Sequence, residues 1–208
     1  MSRPAHRGRL ALLPHLARSF ARWVPAIGSR TVLLGVHCAV IHPWFVAWGW
    51  WRLYGWPRDL RLWVAFFLHD IGYWGQPNLD GPAGQHHPER GGQIMAGLFG
   101  PAWGQFTLYH SRHYARLAGR PVSPLCAADK LATTLYPWWL YGGLARLSGE
   151  LDGYLDLANQ HGFVGREGHA WFRWLQADWQ ALAYRQAAAV PGPLWPGGPT
   201  LPESGSTV

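Results

Sequence analysis

His69 and Asp70 stand side by side at the end of an apolar run, LWVAFFL, that is long enough to be a helix. Adjacent imidazole and carboxylate groups at a helix end can reach one ion, and that donor pair suits iron, manganese, zinc or nickel rather than calcium. Alone, the pair also fits a histidine capping its helix while the aspartate accepts loop amides. Seven of the eleven histidines lie between positions 37 and 113, a region with few acids: Asp59, Asp70, Asp80 and Glu89, with Asp129 beyond. Such groups in an apolar, charge-poor core must be paired or metal-bound.

His42 is the expected partner of His69. Gly55-Trp56-Pro57 is a turn signal between two apolar runs, so 43–54 and 58–70 should form a helical hairpin. Residues equidistant from the turn meet across it. The midpoint of 42 and 69 falls in the turn, whereas that of 37 and 69 falls inside the first helix, leaving His37 as the reserve. His86 and His87 precede Pro88, which opens another helix. The dipole there favours the neutral, metal-binding imidazole. His110 and His113 are one turn apart on the next expected helix, so one can be a ligand while the other lines the entrance. Arg112 between them is a candidate for an anionic substrate.

Asp129 sits in PLCAADKLATTLY among small apolar residues, so it is expected to be buried and to need a cation. Lys130, beside it, is the only lysine; the other 17 basic residues are arginine. A lone lysine next to a ligand candidate suggests a specific need for an ammonium group, such as holding phosphate.

These residues together resemble the HD-domain superfamily of metal-dependent phosphohydrolases. LWVAFFLHDIG, HHPERGGQIM, LYHSRHYA and CAADKLA are similar to the stretches that carry its ligands, over residues 33–145. The loop HDIGYWGQPNLDGP is similar to a bacterial branch. The resemblance implies an all-α domain of five or more helices around the metal. It implies a first ion on His42, His69, Asp70 and Asp129, and a second on His87 and His110 with Asp70 bridging, as in the binuclear subgroup. The implied activity is hydrolysis of a small phosphorylated substrate, with Asp70, Lys130 and Arg112 as catalytic residues and Lys130, Arg112 and His113 contacting substrate. Ser-Arg-His-Tyr follows His110 where the cyclic-di-GMP phosphodiesterases carry a GYP motif, which argues against that substrate. The ligand pattern also resembles mixed-valent diiron oxygenases of the same fold; a non-catalytic metal- or ligand-binding protein is the third reading.

The elements that must position these residues are all helical. Expected helices cover 31–40, 43–54, 58–70, 88–98, 101–117 and one opened by Pro124, then 136–148, 150–161 and 166–188, with Gly72 as the stop after Asp70 and 73–87 as a loop. The chain divides into a basic arm at 1–28, the helical domain at 29–188 and a Pro/Gly/Ser-rich tail at 189–208 expected to be disordered. Residues 1–58 hold eight arginines and no Asp or Glu, within a formal charge of +7. The segment Leu10 to Trp23, with Arg18 and Arg22 opposite its apolar residues, can lie on a membrane surface or pack on its own domain. No interleaved basic and aromatic pattern of the nucleic-acid type is present. Cys38 and Cys126 form no CxxC pair, which makes a reducing, cytoplasmic setting the default. Thr31 to Trp51 lacks formal charge but contains Pro43 and two histidines, and is expected to be core rather than a membrane span. Fifteen tryptophans, clustered at 44–51 and 138–139, are likewise expected to be core.

Overall fold

The computed structural model describes residues 16–189, so the beginning of the arm and the tail from 190 lie outside the described residues. Among the described residues, a helical segment at 16–23 (α1) precedes ten further α-helices: α2 Ile27–Leu34, α3 His42–Tyr54, α4 Leu60–Leu68, α5 His87–Phe99, α6 Pro101–Leu108, α7 Arg112–Leu117, α8 Pro124–Leu135, α9 Trp138–Ser148, α10 Leu151–Gln160 and α11 Gly168–Ala188. Short 3₁₀ turns at Ile71–Tyr73 and Gly84–His86 complete the list, and the described residues contain no strand. The domain is all-α.

The punctuation read from sequence accounts for most boundaries. Proline occupies the first turn of α3, α5, α6 and α8, where its missing N–H costs no hydrogen bond. Asp59 caps α4 by accepting from the Arg61 amide at 2.9 Å. Three expectations need correction. The helix expected at 31–40 is α2, which ends at Leu34 and is followed by turns. The expected helix at 58–70 stops at Leu68, so His69 and Asp70 lie in a turn rather than on the helix. The expected helix at 101–117 is broken at 109–111 into α6 and α7, so His110 and His113 share no helix face. The arm boundary at 28 falls inside α2, where Gly28 donates to the Gln76 carbonyl at 3.0 Å.

Helix α8 is the central element. It packs on α3 on one side and α11 on the other, and most of its residues from Pro124 to Thr133 are buried. One core joins α3, α4, α5, α6 and α8 around Trp50, Phe66, Met95, Trp103 and Phe106; another joins α9, α10 and α11 around Tyr141, Trp171 and Phe172. Phe45, just after His42, packs against both.

Helix α5 crosses the end of α4 with almost no space between backbones. A Cβ on Gly91 would lie 2.3 Å from the Leu68 carbonyl oxygen, and one on Gly72 would lie 2.0 Å from that of His87. Gly72 therefore serves as a close-approach residue and not as a left-handed helix stop: its φ is not positive. These contacts hold Asp70 against the start of α5. Gly91→Ala is expected to destabilise the fold by about 1–3 kcal/mol, because the clash is with backbone and not with a yielding side chain. Thermal denaturation checks this; each kcal/mol lowers the midpoint by about 2–4 °C at this chain length.

No helix among the described residues is long and apolar enough to cross a membrane. The uncharged stretch at 31–51 is divided between α2, turns and α3. The tryptophans divide too. Trp50 is fully buried as expected, but Trp44, Trp48, Trp51 and Trp139 are exposed, because the helical period turns them to the opposite side of α3 or away from the cores.

Candidate metal centre

Five elements converge on one buried point. His42 opens α3, His69 and Asp70 follow α4, His87 opens α5, His110 follows α6, and Asp129 lies mid-helix in α8. The turn after Leu68 is what makes the adjacent His69 and Asp70 convergent. His69 is the last residue of helical conformation, while Asp70 takes φ −100° and ψ 1° as the chain enters the 3₁₀ turn.

The carboxylate of Asp70 divides the cluster. Its Oδ2 lies 3.1 Å from His69 Nε2 and 3.6 Å from His42 Nε2, while its Oδ1 lies 3.5 Å from both His87 Nε2 and His110 Nε2. Asp129 Oδ1 completes the first side, 3.0 Å from His42 Nε2 and 3.8 Å from His69 Nε2. The result is two donor groups that can each hold a metal ion, His42–His69–Asp70–Asp129 and Asp70–His87–His110. Two ligand atoms each about 2.1 Å from one ion are separated by roughly 3–3.4 Å; the separations here run from 3.0 to 3.8 Å, so a small inward movement of the side chains completes either site.

The imidazoles are oriented for this role. His69 Nδ1 donates to the Phe66 carbonyl at 2.9 Å, His87 Nδ1 to Gly84 at 2.7 Å and His110 Nδ1 to Thr107 at 2.6 Å. A carbonyl only accepts, so each neutral ring carries its proton on Nδ1 and presents the Nε2 lone pair inward. His87 Nε2 and His110 Nε2 then face each other at 3.2 Å with no proton to share. His69 Nε2 and Asp70 Oδ2 are buried 3.1 Å apart with no other hydrogen-bond partner, so either a proton or a metal cation must lie between them. Lone pairs left facing one another in a buried space are costly, and a cation between them removes the cost. The fit to metal therefore rests on the facing nitrogens of His87 and His110 as well as on residue type.

The electrostatics agree. Burial favours the neutral acids, but the neighbouring His69 holds the Asp70 carboxyl, and Lys130 that of Asp129, well below the usual carboxylate range. Burial lowers His87 to about 3, so it is neutral and ready to ligate. His69 behaves oppositely: burial disfavours its charge, yet Asp70 and Asp129 raise it to about 10. Before an ion binds, His69 therefore carries a proton that the ion must displace. Loading at pH 7 is expected to release about one proton from His69 and none from His87, and affinity should rise by about tenfold per pH unit up to the His69 pKa. Titration calorimetry in buffers of different ionisation enthalpy counts the proton.

Lys130 Nζ lies 3.2 Å from Asp129 Oδ2 and 4.6 Å from the centre of the Trp179 ring, held at the edge of the cluster. The remaining candidates are placed as follows. His37 turns away from the ligand atoms, to Thr31 Oγ1 at 2.9 Å and Glu150 at 3.7 Å. His86 is exposed and engaged with Glu89 at 3.0 Å and the Tyr114 hydroxyl at 2.8 Å, leaving His87 to face the cluster. Arg112 is exposed at the start of α7, near enough for its charge to be felt at Lys130 and Cys126. His113 is half-buried with its ring against Tyr114, outside both donor groups.

Sequence reasoning missed the layer behind the ligands. Glu150 is fully buried and takes hydrogen bonds from the Val36 amide, Ser148 and Tyr154. It anchors His37, whose ring packs 5.8 Å from that of His42. Tyr73 stacks on His87 at 4.0 Å, and the Tyr136 hydroxyl meets His42 Nδ1 at 3.3 Å. Glu150 begins a helix in sequence and so reads as an ordinary exposed first-turn acid; only the distance of His37 and Val36 in space reveals its burial. Cys38 and Cys126 are free and buried.

Comparisons with known protein families, curated proteins and solved structures find no match to this chain.

Proposed function

We propose that the chain is a metal-dependent phosphohydrolase of the HD-domain type, acting on a small phosphate ester or nucleotide-like substrate with two divalent transition-metal ions. The observation that carries this reading is the division of Asp70, one carboxylate oxygen toward each donor group. A carboxylate so shared is the means by which two ions are held together with only six side chains. His42, His69 and Asp129 would complete the first site, and His87 and His110 the second. All donors are nitrogen or oxygen, which fits iron, manganese, nickel or zinc. Such ions supply a water of lowered pKa and an electrophilic partner for a phosphoryl oxygen.

The chain's own groups supply the rest. Lys130 is held at the cluster edge by Asp129 and Trp179, with its side chain 17% exposed. Burial opposes its charge, but Asp129 and Cys126 together raise the pKa, so Lys130 stays cationic at neutral pH. A fixed ammonium there neutralises charge that develops on phosphate oxygens. Arg112 adds a second cation near Lys130. The buried Glu150, Tyr73 and Tyr136 hold the ligating rings in orientation.

The test is a screen of phosphate monoesters, phosphodiesters and nucleotides with manganese, iron, nickel or zinc added, with and without oxygen. Phosphate or nucleotide release independent of oxygen is expected. Turnover that consumes oxygen would replace this reading with an oxygenase. Bound metal with no turnover of any class would leave a binding protein.

A further inference from the structure

The hairpin of α3 and α4 buries Trp50 and Phe66 on one side and presents an aromatic surface on the other. Trp44, Trp48 and Trp51 follow helical spacing along α3, and Trp63 and Phe67 do so along α4. Trp44 is 57% exposed, Trp51 53% and Trp56, in the turn, 62%. The rings form a continuous series rather than isolated side chains. Trp44 contacts Trp63 at 5.7 Å and Phe67 at 5.9 Å, while Trp56 links Trp63 at 6.1 Å to Trp51 at 6.4 Å. Leu60 extends the surface. Contiguous exposed aromatic surface of this kind marks a contact site.

The charge around the surface selects its occupant. Arg52 and Arg58 are exposed beside the tryptophans. The one acid of the hairpin, Asp59, is already paired with Arg61 at 2.7 Å. Two copies meeting through this face would set Arg52 and Arg58 against their counterparts with no free carboxylate on the hairpin to answer them. A surface of anionic headgroups over an apolar interior answers both features, because indole rings favour the water–lipid interface and arginine pairs with lipid phosphate.

We propose that the α3–α4 tryptophan face docks on an anionic lipid bilayer, lying in the interface without crossing it. The face, and not the basic arm before it, is the principal contact. This assignment is independent of the reaction at the metal centre, which lies at the buried ends of the same two helices.

Co-sedimentation of the full chain with vesicles tests it. Binding is expected to vesicles of phosphatidylcholine with about one-third phosphatidylglycerol, and to be much weaker with phosphatidylcholine alone or at high salt. The paired change Trp51→Gln and Trp56→Gln should weaken binding by about tenfold or more, since both rings leave the interface. Arg52→Gln with Arg58→Gln should remove about fivefold for each arginine, mostly the salt-sensitive part. Bound metal and far-ultraviolet dichroism equal to the unaltered chain show that the variants are folded; should the tryptophan pair fail to fold, the arginine pair alone decides. Equal binding by the folded variants and the unaltered chain overturns the proposal. So does loss of binding on changing Arg3, Arg7 and Arg9 to glutamine while the tryptophan variant still binds. A dimer that dissociates on the tryptophan change, in a chain that ignores the vesicles, overturns it in favour of a second copy.

Discussion

Asp70→Ala is expected to strip the cluster of metal altogether and to lower hydrolysis by at least about a thousandfold. Each donor group loses one of its ligands, and both lose the carboxylate charge that offsets a dication. Removing the carboxylate also leaves His42, His69, His87 and His110 facing one another around an unfilled polar space, with no anion among them except Asp129. The comparison with Asp70→Asn sharpens the interpretation. Asparagine keeps the volume and one acceptor oxygen but not the charge, so the fold should survive while ion affinity falls by roughly 10–100-fold or more. His87→Ala should be milder and selective: it removes a ligand of the His110 side and leaves His42, His69 and Asp129 in place. Elemental analysis and activity measured on the same preparations separate these cases.

Lys130→Met is expected to lower phosphate-ester turnover by about 100–1000-fold while leaving the ions bound, the magnitude associated with removing one preorganised group that stabilises transition-state charge. The loss should fall on kcat rather than on KM, because the ammonium matters most when phosphate charge develops. Methionine keeps the apolar stem that packs toward Trp179, so a folding defect is not expected. Lys130→Arg should rescue only part of the activity: guanidinium is planar and wider than the ammonium that lies 3.2 Å from Asp129 and 4.6 Å from the centre of the Trp179 ring. A variant with unchanged turnover would reduce Lys130 to a structural partner of Asp129.

Much of this site was legible before the fold was known, for identifiable reasons. The hairpin about Gly55-Trp56-Pro57 brings two ring centres, those of His42 and His69, to 5.4 Å, as equidistance from the turn requires. Asp129 is buried among small residues because α8 is covered on both sides. Between His86 and His87 only the structure decides, whereas equidistance from the turn already prefers His42 to His37. A one-residue shift at a helix start rotates a side chain by about 100°, and neighbouring histidines are indistinguishable by type. The break at 109–111 was not legible. Nothing in TLYHSRHYA is a strong helix breaker, and the chain departs from helix there so that His110 can turn inward, its Nδ1 anchored on Thr107. Glu150 is not legible in the sequence because the partners that bury it lie 113 and 114 positions away, in the segment around Val36 and His37. The exposed tryptophans were misjudged on composition, where their spacing along α3 already separates Trp44, Trp48 and Trp51 from Trp50.

The close backbone approach at Gly72 and Gly91 links fold to chemistry. It draws the end of α4 onto the start of α5 until Asp70 can face His87 as well as His69. A looser crossing would leave one donor group intact and dissolve the other. The two-ion reading therefore depends on two glycines as well as on the six ligands.

Metal content of the purified, folded chain tests the central claim most directly. Loaded with manganese or iron and freed of excess, the chain should retain about two ions, His87→Ala about one, and Asp70→Ala essentially none. A folded chain that retains no transition metal under these conditions, or an Asp70→Ala variant that keeps its ions, would contradict the account.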